Sequence, residues 1–340
     1  MILAVGFMSS PRRVGITSTL PVEVIWAAGA IPLDLNNLFI NDARSEDLVK
    51  EAEKRGIPPR SCGWVKGIFP VPSSRGMEEV AVVSGGDCSD LVALSDYWED
   101  DGIGIVHFTF PIGRDRKGLL TSLENLCNHF QITMEEAGKK WQELVGVRRK
   151  LADLDDMMAE GCSASAEELH GMLVGGSDMN GDPQAFEKGL DDLLARCHPE
   201  RIGDDEIRIA YVGVPPIIKD MFSSLEDMGC RVVLDETAVQ FGMAYRADDM
   251  VDQYLKYTYP YGARSRSEWI VEQVHRRKVD GIVLYTEAAC FRNLSNQYLR
   301  ERFPVPVVEI QGENPAPLDA RNRMRLESFI QILRMGRDGI

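Results

Sequence analysis

Three cysteines in this sequence stand where open α/β sheets keep their chemistry, beyond the carboxyl ends of strands. Cys88 follows the apolar run VAVV and the turn SGGD. Cys290 follows GIVLYTEAA, and Cys62 follows the loop GIPPR and opens CGWVKGIF. Each is expected at or just before a helix start, where backbone N–H groups and the helix dipole favour a thiolate. Gly85 and Gly86 would let backbone approach a bulky anionic group closely. Three thiolates from distant positions could hold a metal cluster. They could equally be core residues, because free cysteine is among the most buried residue types. On the residues alone both readings stand.

The remaining cysteines read as structural. Cys127 lies on the apolar face of LLTSLENLCNHF, Cys197 near the end of LDDLLARCH, and Cys230 at the start of a core strand. Cys162 falls in a loop and could be exposed. An odd total of seven argues against a disulfide framework. Zinc is disfavoured, since no CxxC or Cys/His cluster has the required spacing, and the five histidines are scattered. No GxxxxGK[ST], GxGxxG after a strand, or GxSxG is present.

Alternating strand and helix patterns must position these thiols. Residues 22–28 read as a helix after Pro21 that closes at Gly29, followed by the strand AIPLDL and the acidic helix SEDLVKEAEKRG. EEVAVVSGGDCSDLVALSDYWED reads as strand, tight turn and helix, and GIGIVHFTFP as a further strand. Residues 117–160 read as helices. Met134, Ala137, Trp141, Leu144, Leu151, Leu154 and Met158 form a packing stripe there at helical spacing. In the second half, IRIAYVGVPP, IIKDMFSSLEDMG and CRVVLDET make a βαβ unit, so parallel strands are expected. SEWIVEQVHRRKV reads as a helix capped by Ser267. DGIVLYTEAAC and VPVVEIQG are the last strands, before a closing helix. The expectation is α/β: two doubly wound lobes, over residues 1–200 and 201–340, with an inserted helical segment over about 117–200.

The chain of 340 residues is long enough for two domains, and 44% hydrophobic with 27% charged residues is ordinary for a globular protein. A formal net charge of −15 argues against non-specific binding to nucleic acid or to an anionic membrane surface. No apolar run is long enough for a membrane helix. The opening MILAVGFMSSPRRVG reads as the start of a strand or helix rather than a signal peptide. Its charges, Arg12 and Arg13, follow the apolar run instead of preceding it. The expected compartment is the cytoplasm.

Together these segments resemble the 2-hydroxyacyl-CoA dehydratase and benzoyl-CoA reductase subunit family. PVEVIWAAGAIPLDL is similar to the family's AAG segment, and Cys62, Cys88 and Cys290 keep the order and setting of its cysteines. RIAYVGVPPIIKDMFSSLEDMGCRVVLDET resembles the βαβ that opens its second domain, and RNRMRLESFIQIL its closing helix. The resemblance implies an active site in the cleft between the lobes, with a [4Fe–4S] cluster held there by Cys62, Cys88 and Cys290 and one iron open to substrate. It implies one-electron, ketyl-radical chemistry on an acyl-CoA thioester. It also implies an ATP-dependent activator protein as electron donor, and a homologous second subunit or a second copy as partner. Ser18, in GITSTLP with Thr17 and Thr19, and Glu23 lie beside the matching N-terminal motif as candidate catalytic residues, though Glu23 on its own residue type reads as a solvated helix acid. A double cubane would need six thiolates, and three match. Two alternatives remain: a cluster-carrying reductase or electron-transfer member acting on a substrate without CoA, and a two-lobed binding or scaffold protein without a cluster.

Overall fold

Short β-branched strands alternating with capped helices generate two parallel sheets in the computed structural model, which describes residues 11–203 and 205–337. The first sheet contains β1 (Arg13–Ile16), β2 (Ile31–Asp34), β3 (Glu79–Gly85) and β4 (Gly104–Thr109), in the order β2-β1-β3-β4. The second contains β5 (Ile207–Gly213), β6 (Cys230–Asp235), β7 (Gly281–Glu287) and β8 (Val307–Gly312), in the order β6-β5-β7-β8. Every neighbouring pair is parallel. The fold is therefore α/β with two Rossmann- or flavodoxin-like lobes. In each sheet the strand order reverses between the first and third strands, which makes β1/β3 and β5/β7 the switch points where such folds bind ligands.

Around the first sheet lie α1 (Val22–Ala27), α2 (Leu35–Ile40), α3 (Ser45–Lys54), α4 (Gly63–Ile68), α5 (Val71–Ser74) and α6 (Ser89–Asp100). The helical stretch supplies α7 (Arg116–His129), α8 (Met134–Glu160), α9 (Ala166–Gly175) and α10 (Pro183–Arg196). Around the second sheet lie α11 (Met221–Asp227), α12 (Glu236–Phe241), α13 (Met250–Lys256), α14 (Ala263–Arg276), α15 (Asn293–Arg300) and α16 (Ala320–Arg337). Residues 1–10, which hold most of the MILAVGFMSSPRRVG segment, fall outside the described residues.

Local sequence sets the helix starts. Thr133 and Glu136 form a reciprocal capping box at α8, and Asp115, Ser165, Asp182, Asp235 and Asp249 accept backbone N–H bonds at other starts. Each such cap contributes about 1 kcal/mol. Ser267 is not a cap. α14 begins earlier, after Gly262 at φ 93°, and the Ser267 hydroxyl donates to Arg264 O within the helix. The glycine can take a conformation that a serine start cannot, so the helix extends upstream through ARSR.

The packing ties the two sheets together. α8 is 27 residues long, about 40 Å at helical rise. Its first turns put Ala137 and Trp141 into the core under the first sheet, whereas Leu144, Val147, Leu151, Leu154 and Met158 join the core of the second. Conversely, Met243, Met250, Val251, Tyr254 and Tyr257, from the later part of the chain, pack against Val14, Ile16 and Phe108 of the first sheet. This mutual insertion holds the carboxyl edges of the two sheets against each other.

Candidate functional site

The strands of both switch points end at one cavity of about 100 Å³. β1 delivers Thr17 and Ser18, β3 delivers Asp87 and Cys88, β5 delivers Val214 and Pro215, and β7 delivers Glu287 and Cys290. Cys62, immediately before α4, completes the set of thiols. The three cysteines, separated by up to 228 positions along the chain (290 − 62), therefore line one space. A larger open depression of about 560 Å³ lies at the opposite, amino-terminal edge of the second sheet, and none of these thiols lines it.

Close approach of the lobes makes this cavity. A Cβ on Gly63 would meet Glu313 O at 2.3 Å and Ile217 Cδ1 at 2.9 Å, so the residue after Cys62 sits hard against the second lobe. Trp64 donates its indole N–H to Pro215 O across the same gap at 3.2 Å. Gly86, at φ 94°, abuts Pro260 and Phe110, and Gly85 abuts Thr109. Both glycines leave room that a side chain would fill against protein neighbours.

Cys62 and Cys88 occupy the N-cap positions of α4 and α6. The N–H groups of Val65 and Trp64 near Cys62, of Asp90 near Cys88 and of Arg292 near Cys290 favour the thiolate, although neither Cys62 nor Cys88 accepts a side-chain capping bond. Burial opposes them and wins. It pushes the Cys62 and Cys88 thiols up to about 12, with the charges of Glu287 and Asp87 adding to the respective shifts, and raises Cys290 as well. Without a cation the three sulfurs are therefore protonated at neutral pH. Cys290 is set by the turn TEAAC, in which Ala289 holds φ 62°. A left-handed alanine costs roughly 1–2 kcal/mol, strain of the kind that collects at functional sites.

Charged side chains also reach the cavity. Glu287 is fully buried, and burial pushes its carboxyl up to about 8. Arg292 lies over Tyr259 with 3.8 Å to the ring centroid and donates to Asp87 Oδ1 at 3.3 Å, pairing the residue before Cys88 with one two positions after Cys290. Tyr259 in turn donates to Gly213 O at 3.1 Å, at the end of β5. The Arg266–Glu236 pair also holds that turn, at 2.8 Å. Glu287, Arg292 and Tyr259 were missed as site residues in the sequence. The available signal was a glutamate ending an otherwise apolar strand, and the aromatic run YPY.

The N-terminal candidates separate. Ser18 lines the cavity and is buried. Glu23 does not line it and is not solvated. Its carboxylate is fully buried, accepts from Arg148 Nη2 at 2.6 Å and takes the Tyr254 hydroxyl on its other oxygen at 2.6 Å. The first turn of α1 faces inward here because α8 packs across it, which the short helix pattern could not show. Cys162 is likewise buried rather than exposed, since its backbone forms an antiparallel bridge to Pro199 beside Cys197.

Chemically, the cavity offers three soft donors on rigid element ends, one unsatisfied carboxyl, and an apolar wall containing Val65, Ile68, Leu91 and Phe241. Among the described residues, no three His, Cys, Asp or Glu side chains gather closely enough around a single ion position. Nor is any described helix long and apolar enough to cross a membrane. No curated protein matches the chain significantly. The family model for the 2-hydroxyglutaryl-CoA dehydratase D-component matches residues 17–333, which takes in all three cysteines and both sheets from the end of β1 onward. The chain belongs to the 2-hydroxyglutaryl-CoA dehydratase D-component family.

Proposed function

We propose that this chain is the iron–sulfur subunit of a 2-hydroxyacyl-CoA dehydratase-type enzyme, with Cys62, Cys88 and Cys290 ligating a [4Fe–4S] cluster. The supporting observation is that three thiols from three loops line one cavity at the facing switch points of two sheets. Three thiolates on separate loops are the donor type that iron–sulfur clusters take. Backbone N–H groups near each sulfur favour anionic thiolates once iron displaces their protons. When bound, such a centre supplies one-electron reduction of a thioester carbonyl, the step that lets an otherwise unreactive hydroxyl leave as a ketyl radical expels it.

This chain's residues have separable tasks in that reading. The apolar wall excludes water, which strengthens every electrostatic contact inside. Arg292, held over the Tyr259 ring with a single carboxylate acceptor, provides positive charge at the cavity wall toward a substrate oxygen. Ser18 offers a hydroxyl from the β1 switch strand. The family is named for one component of a dehydratase, which implies a partner component. A homologous subunit or second copy, and an ATP-dependent activator delivering the electron, belong to this proposal.

Anaerobic purification and reconstitution, followed by iron and sulfide quantitation and EPR, tests it. The expected outcome is a brown protein with about four irons per chain, lost in Cys62→Ala, Cys88→Ala and Cys290→Ala. Protein that stays colourless and iron-free with all three thiols titrating as free would sink the reading.

A further inference from the structure

Glu287 has chemistry that the ligand set above leaves unused. It ends β7 at the cavity wall and is fully buried. Its Oε1 accepts from the Tyr285 hydroxyl at 2.5 Å, and that hydroxyl accepts from Ile217 N–H at 3.2 Å. Its Oε2 is buried and has no hydrogen-bond partner. The arrangement is built in: a Cβ at Gly312 would fall 2.0 Å from the Tyr285 hydroxyl and 2.8 Å from Glu287 Oε1. β8 thus carries a glycine where the Tyr285–Glu287 pair needs the space. The Glu287 carboxyl lines the same cavity as Cys62, Cys88 and Cys290.

A buried carboxyl oxygen without a partner in a largely apolar wall is costly to desolvate, and buried carboxylates persist when they are paired or coordinate a metal. The described residues offer Oε2 no hydrogen-bond partner. We propose that Glu287 is a fourth protein donor of the cluster pocket, its Oε2 ligating, in the substrate-free protein, the iron that Cys62, Cys88 and Cys290 leave open. This rests on the cluster reading above. Ligation exchanges the carboxyl proton, released to solvent, for an iron–oxygen bond, with no change in oxidation state. A hard carboxylate holds a thiophilic iron less tightly than a thiolate does, so a substrate oxygen can displace it.

The test uses the full chain as wild type, Glu287→Gln and Glu287→Ala, each reconstituted anaerobically with ⁵⁷Fe and sulfide. Iron content, Mössbauer spectra, and EPR after mild ferricyanide oxidation are read. Expected is a wild type with about four irons, one spectroscopically distinct from the others, and variants that fall to about three irons with a three-iron EPR signal. Variants with wild-type iron content and unchanged Mössbauer parameters overturn the role of Glu287 and leave the cluster reading intact. A wild type that takes up no iron overturns both. Should Glu287→Ala lose its far-UV circular dichroism, the near-isosteric Glu287→Gln decides.

Discussion

Arg148→Met should be among the most damaging single substitutions outside the cavity. Arg148 and Glu23 are both fully buried and meet at 2.6 Å, joining α8 to α1. Methionine fills much of the arginine volume, so the change removes charge with little cavity. It leaves the Glu23 carboxylate with neutral donors only: the Tyr254 hydroxyl at 2.6 Å and Gln253 Nε2 at 3.4 Å. Breaking a buried pair from one side costs about 3–5 kcal/mol. Removing both charges behaves differently. Arg148 Nε and Nη1 have no partners, so the native pair is itself imperfectly satisfied. Tyr254 retains Leu20 O as an acceptor at 2.9 Å when Glu23 is gone. Glu23→Leu combined with Arg148→Met should therefore cost under about 1 kcal/mol, giving a coupling energy of at least ~2 kcal/mol. Urea unfolding followed by both circular dichroism and tryptophan fluorescence gives the values, with coincident transitions as the check on two-state behaviour. A loss below about 1 kcal/mol for Arg148→Met, or a double variant no better than the single, would refute the assignment of the penalty to an uncompensated Glu23 charge.

Three further outcomes follow from particular contacts. Asp178 donates no charge compensation to its neighbour Asp34: burial and that like charge push its carboxyl from 3.8 to about 7. The folded state then binds more protons than the unfolded chain between about pH 4 and 7, so this group's stabilisation is full below pH 4 and lost as pH rises through 7. The stability of Asp178→Asn relative to wild type should therefore rise over that window in urea titrations, and a flat difference would contradict it. Ala289→Gly should stabilise the metal-free protein by about 1 kcal/mol through relief of the left-handed backbone at φ 62°, as read by the urea midpoint; destabilisation would show that the Ala289 methyl packs usefully. Gly312→Ala should cost about 1–3 kcal/mol by driving a methyl into the Tyr285 hydroxyl, and Tyr285→Phe in the same chain should recover part of it. Equal damage with and without the hydroxyl would place the clash elsewhere.

Period and punctuation in the sequence were enough for the elements around the site. VAVV, IRIAYV and GIVLYT are apolar runs of strand length bounded by Gly and Pro, and each became a parallel strand covered on both faces. The stripe from Met134 to Met158 became α8. Misreadings fell where an end is decided by a distant contact: Ser267 lost its cap to Gly262, Cys162 was covered through Pro199, and Glu23 turned inward under α8. A helix-start acid or a loop cysteine has the same local pattern whether water or protein lies over it.

Local sequence by itself determined the strand-to-helix turns that present Cys88 and Cys290, because hydrophobic period and turn residues act over a few positions. The family resemblance added which cysteines belong together. Only the tertiary structure decided that Cys62, Cys88 and Cys290 face one cavity, and that Glu287, Arg292 and Tyr259 share it. The reason is geometric. Two sheets of the same strand order meet at their switch points, and that meeting is fixed by α8 packing into both cores and by glycine contacts such as Gly63 with Glu313. Those contacts join residues hundreds of positions apart, and no periodicity along the chain encodes them.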